Sequence, residues 1–208
     1  MPLPPFRAVE NRCAVDFTAL RLPCPETKAL EILKKEGLRL IEVDMLALAR
    51  ERTGKAAYKR DAKMCDAPHI FNCSTFVKWL YGARGIWLPR YVVQQSECGT
   101  AVARNDISPY DLLFFTGSAN QYRDNAADGI SHVAMASGKN TIIHTSSRGT
   151  LEENLDEYLA NRELKAIRRI LPSENVRTLQ IPTNAEVEQP DDIRWIVLKH
   201  FGTKRFEL

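Results

Sequence analysis

The chain has 208 residues, 44% of them apolar and 26% charged, with a net charge of +3. That length suits one domain with extensions and a real buried core, and its basic residues are dispersed without aromatic interleaving, which argues against a nucleic-acid groove. No apolar run nears the ~18 residues of a membrane span, and the start MPLPPFRAVENRCAVDF lacks the apolar stretch of a secretory signal. The location expected from this is the cytoplasm, or export by a non-classical route.

In chain order, the first 22 residues contain several prolines and read as an irregular arm, taken to end at residue 24. PETKALEILKKEG predicts a short helix, with Pro25 in its first turn, Leu30 and Leu33 on one face and Gly37 as terminator. LRLIEVDMLALARERTG predicts a second, with Ile41, Met45 and Leu48 at helical spacing and Gly54 as the stop. KAAYKRDAKMCDAPHIF is polar, broken by Pro68, and reads as loop. In FNCSTFVKWLYG, Asn72 is a good cap, and Cys73, Phe76, Val77 and Leu80 line one face of a helix ending near Gly82–Gly85.

Beyond residue 110 the period changes. DLLFF (111–115), SHVAMAS (131–137), NTIIHTS (140–146) and AIRRIL (166–171) have strand-like content, and SGKN is a turn between the second and third. TGSANQYRDNAADGI is long and polar, a segment expected to rim a site. NLDEYLANREL reads as a helical connection, PSENVRTLQIPTNAEVEQP as an extended tail, and DDIRWIVLKHFG as a terminal amphipathic helix with Ile193, Ile196, Val197 and Phe201 inward. Helices followed by an antiparallel sheet predict an α+β fold. The expected division is an arm over 1–24, a catalytic domain over 25–171 and an extension over 172–208.

Five cysteines, an odd number with no signal peptide, argue against a disulfide framework. Cys73 stands at a predicted helix start, where the positive end of the helix dipole favours thiolate over thiol. His132 and His144 fall on strands joined by the SGKN turn, so their side chains can meet on one face. A thiol, a base and a group that orients the base are the components of a nucleophilic hydrolase. Residue type alone leaves Cys73 open as a buried filler and His132 as a core histidine.

Four ordered blocks narrow the choice. FNCSTFVKWLYG, LPRYVVQQSECG, ISPYDLLFF and SHVAMASGKNTIIHTSS together resemble the NlpC-type cell-wall peptidases over about residues 40–171. The resemblance implies a papain-like fold in which the helix bearing the nucleophile packs on a central antiparallel sheet. It implies Cys73 as nucleophile, His132 as general base and acid, and His144 as the third polar residue. Tyr58 is the best match to the tyrosine that assists the oxyanion site, beside the backbone N–H of Cys73. Ser74 and Arg90 are further candidates for the substrate side of the cleft. The implied reaction is hydrolysis of the γ-D-glutamyl bond to a diamino acid in peptidoglycan stem peptides, so the expected partners are peptidoglycan fragments or muropeptides, not nucleic acid. The sequence departs from the family pattern at Asn72 (usually Asp), at Thr75 (usually small) and at Tyr110 (commonly Gly), and Tyr58 lies further from the cysteine than usual. With Tyr at 110, that turn is expected to avoid a glycine-only conformation.

Two other readings share the same residues: an acyltransferase or transpeptidase on the same fold, and an inert binding module. Cys65, His69 and Cys73, spaced by four, sketch a zinc site, but Pro68 breaks the helix that would align them and no Cys-x-x-Cys pair is present. No cofactor or metal is expected. Asp111 reads as fixing a turn, and Trp79 and Trp87 as packing residues.

Overall fold

The computed structural model of the chain describes residues 6–116, 129–171 and 175–201. The segment 116–130 expected to rim a site lies almost wholly outside the described residues. The chain divides into two compact units, one of Asp44–Tyr81 and Leu88–Pro172, the other of Pro5–Val43, Gly82–Trp87 and Ser173–Leu208. This differs from the division expected from sequence, since residues 25–43 group with the C-terminal part rather than with the segment that follows them.

The supposed arm contains a strand, β1 (Arg12–Asp16), whose central residues Cys13, Ala14 and Val15 are fully buried. Helix α1 (Glu26–Lys35) follows as predicted, closed by Gly37 at φ +86°. The predicted second helix is shorter than expected: Arg39–Ile41 form strand β2, and α2 (Met45–Arg52) starts only after Asp44. Asp44 sets that start, because its carboxylate accepts the N–H groups of Leu46 (2.9 Å) and Ala47 (3.0 Å). Ile41 matched the helical period by coincidence and its partners lie far along the chain.

The predicted loop is more ordered than its composition suggests. It holds β3 (Ala57–Tyr58), a 3-10 turn at Met64–Asp66 and β4 (Ile70–Phe71), with β3 and β4 paired in parallel. Helix α3 (Cys73–Ala83) buries Phe76, Val77 and Leu80 as the pattern requires, and short α4 (Val92–Gln95) comes after it.

The strands of the second half are β5 (Thr100–Ala101), β6 (Leu112–Thr116), β7 (Ile130–Gly138), β8 (Thr141–Ser146) and β9 (Gly149–Asn154). Helix α5 (Leu155–Leu159), strands β10 (Leu164–Arg169) and β11 (Val176–Gln180), and helix α6 (Pro190–Lys199) complete the order. In the first unit the sheet runs β5-β10-β6-β7-β8-β9, antiparallel throughout. Its Leu113, Phe115, Ala134, Ala136, Ile142 and Ile167 form one core with Leu155 of α5. Lys139 and Asn140 both adopt positive φ in the turn between β7 and β8, the geometry that matches strand twist in a tight hairpin.

In the second unit a sheet of order β1-β11-β2 shares a core with α1 and α6, built from Val15, Ile32, Leu33, Leu179, Ile193 and Val197. The segment read as an extended tail therefore supplies the central strand of this sheet. Phe201, expected to face inward, lies past the end of α6 and is 42% exposed.

Candidate active site

The N-terminal turn of α3 presents Cys73, and its neighbours hold that turn rigidly. Asn72 N–H donates to Thr75 Oγ1, and Thr75 N–H donates back to Asn72 Oδ1, both at 2.9 Å. Asn72 Nδ2 donates to the Arg60 carbonyl at 2.8 Å, tying the loop before β4 to the helix start. Arg90 donates to Ser74 Oγ (2.9 Å) and to the Ala62 carbonyl (2.7 Å), and buried Gln95 donates to the Ser74 carbonyl (3.1 Å). Ser74 and Arg90 thus bond to each other beside the cleft.

Cys73, Tyr58, Asn72, Ser74, Arg90 and His132 line one cleft of about 550 Å³. Among the described residues, Arg60, Lys63 and Arg162 stand on its walls together with the acidic Asp61. Tyr58 is 38% exposed there; burial, then the nearby Cys73 thiol, pushes its phenol up. Burial also pushes the Cys73 thiol up, and outweighs the backbone N–H groups of Val133, Ser74 and Cys73 and the Arg90 charge, which pull it down. The helix start therefore works against desolvation rather than alone, and the thiol form is favoured at rest. The sequence expectation of a standing thiolate omitted that burial.

The two histidines meet as the hairpin predicts. Met135 pairs with Ile143 across β7 and β8, so His132 and His144 project from the same face, with His132 Nε2 2.9 Å from His144 Nδ1. Their rings are perpendicular, at 88°. Burial, then His144 and Arg162, pushes His132 down to about 3. Burial also pushes His144 down, although Glu153 opposes it.

Several residues at this site escaped the sequence reading. Glu153 Oε2 lies 2.6 Å from His144 Nε2, and Arg148 donates to both Glu153 oxygens at 2.7 and 2.8 Å. The ring of Tyr158, on α5, lies 5.0 Å from His144 and 6.1 Å from His132, covering both imidazoles. The signal for Glu153 was present: reading GTLEEN as the strand after SSRG would have placed it diagonally across from His144. The other candidates have plainer places. Asp111 accepts two bonds from Arg169 (2.9 and 2.8 Å) and the Ser108 N–H, so it does fix the turn before β6. Trp79 packs on Phe71, whereas Trp87 is 39% exposed, with Arg7 over its ring. All five cysteines are free thiols.

The family model described as NlpC/P60 matches residues 58–169, a span that contains every lining residue of this cleft named above. The chain belongs to the NlpC/P60 family. Among NlpC/P60 relatives, the probable endopeptidase p60 of Listeria innocua is 30% identical over 111 residues, covering 53% of this chain and 21% of its own. A γ-D-glutamyl-L-lysine dipeptidyl-peptidase of Bacillus subtilis is 31% identical over 101 residues, covering 48% of this chain and 32% of its own. The chain thus matches less than half the length of either relative. The solved structure of NlpC1 from Trichomonas vaginalis superposes on 61% of this chain and 42% of its own, with a TM-score of 0.52 and 22% identity, a likeness of fold. Among the described residues no helix is long and apolar enough to cross a membrane.

Proposed function

We propose that this protein is a cysteine peptidase that hydrolyses an amide bond of peptidoglycan stem peptides, the γ-D-glutamyl bond to a diamino acid. The observation that carries the reading is that Cys73 and His132 line one cleft, with buried His144 hydrogen-bonded to His132 behind it. His132 removes the thiol proton as sulfur attacks the carbonyl carbon, forming the C–S bond and a tetrahedral oxyanion. Cys73 N–H, the first of α3 and without an intrahelical acceptor, and the Tyr58 hydroxyl are the donors assigned to that oxyanion. The C–N bond then breaks and the proton passes from His132 to the leaving amine. Water, deprotonated by His132, releases the acyl group as a carboxylic acid and restores the thiol.

The substrate class draws on two supports. Arg60, Lys63 and Arg162 give the cleft walls a cationic excess that suits a peptide bearing free carboxylates. The Bacillus subtilis relative is named for a γ-D-glutamyl-L-lysine bond. Incubation of defined muropeptides with wild type and Cys73→Ala, read by mass spectrometry, tests the whole reading. Wild type is expected to yield fragments cut after γ-D-glutamate, and Cys73→Ala to yield none above background. Equal cleavage by both proteins would overturn it.

A further inference from the structure

If His132 is the base, its tautomer must be decided by something, because a neutral imidazole offers a lone pair on one nitrogen only. Nε2 faces His144, which leaves Nδ1 for the thiol proton. We propose that Glu153 is the positioning residue that makes this choice: through His144 it fixes His132 as the Nε2–H tautomer, and it supplies the counter-charge when His132 becomes protonated. The inference rests on the proposed role of His132 and adds a residue to it.

The chain of hydrogen bonds has one consistent polarity. Arg148 donates to both Glu153 oxygens, so Glu153 is held as a carboxylate and can only accept. His144 Nε2, at 2.6 Å, must then carry the hydrogen. His144 is 1% exposed, which disfavours its charged form, so its Nδ1 keeps a lone pair and accepts from His132 Nε2–H. His132 Nδ1 is thereby left bare. When the Cys73 proton moves onto it, the new positive charge lies two hydrogen bonds from the Glu153 carboxylate.

The surrounding groups show why that carboxylate matters. Arg162 and Arg148 act on the same imidazoles and oppose a cation there, Tyr158 covers them with a neutral ring, and Glu153 acts in the opposite sense. The placement follows from the strand register. His144 pairs with Leu151, so Glu153, two residues on, shares its face diagonally within reach of a long side chain. Because β9 is an edge strand and Glu153 is part-exposed, its replacement removes nothing from the apolar core.

Glu153→Gln is the decisive variant. Arg148 would take the amide oxygen, turning the NH2 toward His144 and reversing the tautomer of both imidazoles. Two readouts follow: 15N shifts of the imidazoles, and the rate of Cys73 alkylation by iodoacetamide against pH. The expected result is a bare Nδ1 on His132 in wild type, a protonated Nδ1 in Glu153→Gln, and alkylation at pH 7 slowed about tenfold or more. Glu153→Ala, which offers neither charge nor donor, is expected to give mixed tautomers and an intermediate rate. Wild-type tautomers with an unshifted alkylation profile in either variant would overturn the proposal. Alkylation requires no peptide substrate, so the two readings fail separately. Cleavage of muropeptides with an unaltered Glu153→Gln profile removes the role of Glu153 alone. A shifted profile in a protein that cleaves no muropeptide removes the proposed substrate alone.

Discussion

Tyr110 occupies a left-handed backbone, φ +76°, a conformation that glycine adopts without strain. The sequence expectation was that a tyrosine would steer this turn elsewhere. Instead its N–H donates to the Ala136 carbonyl at 2.9 Å and its carbonyl accepts the Tyr81 hydroxyl, so the surrounding contacts hold the residue in place. A left-handed conformation costs a non-glycine residue roughly 1–2 kcal/mol. Comparing Tyr110→Ala with Tyr110→Gly isolates that cost, since both remove the ring. The glycine variant is expected to be more stable by about 1 kcal/mol in chemical denaturation. Cys73 teaches a related lesson: its position at a helix start was readable, but the burial that opposes the dipole depends on what surrounds the cleft.

At the scale of elements, the start of α3 shows what Asn72 does that an Asp there could not. Either residue accepts the Thr75 N–H, but only an amide can also donate to the Arg60 carbonyl. Asn72→Asp gains a charge at the helix N-terminus yet sets a carboxylate oxygen against that carbonyl. The expected outcome is a net loss of about 1–3 kcal/mol in denaturant midpoint measurements, with the bond to the loop of Arg60 gone. Helices α1, α3 and α6 were legible because each carries its own apolar face and its own stop or start signal. Strands β1 and β2 were not, because each is defined by its pairing with β11, distant in sequence, whereas β9 follows directly on β8 and was simply left unread.

For the whole molecule, burial of the imidazole pair sets a pH dependence with a definite sign. His132 is held neutral down to about 3, whereas an unfolded chain's histidine titrates near 6.5. Between these values the unfolded state binds the extra proton, so stability is complete above the upper value and falls as pH drops through the window. The slope is at most about 1.4 kcal/mol per pH unit. Burial pushes the Glu153 carboxyl up, but Arg148 and His144 prevail and hold it below 4.5, adding a loss in the same direction at lower pH. Thermal melts from pH 7 to pH 4 are expected to show falling stability, and His132→Asn to flatten the upper part of that curve.

What the sequence by itself determined is the local and the ordered: the cap and apolar face around Cys73, the hairpin that brings His132 beside His144, the turn fixed by Asp111, and the α+β order. These features rest on spacings of a few residues and on rules of backbone geometry. The tertiary structure alone decided how residues remote in sequence share space. It grouped the N-terminal strand and helix with the C-terminal strand and helix, gave Asn72 its second bond, and buried the histidines under Tyr158. It also set Glu153 and Arg148 behind His144. Pairing partners and burial are properties of the assembled core, so no window of the chain contains them.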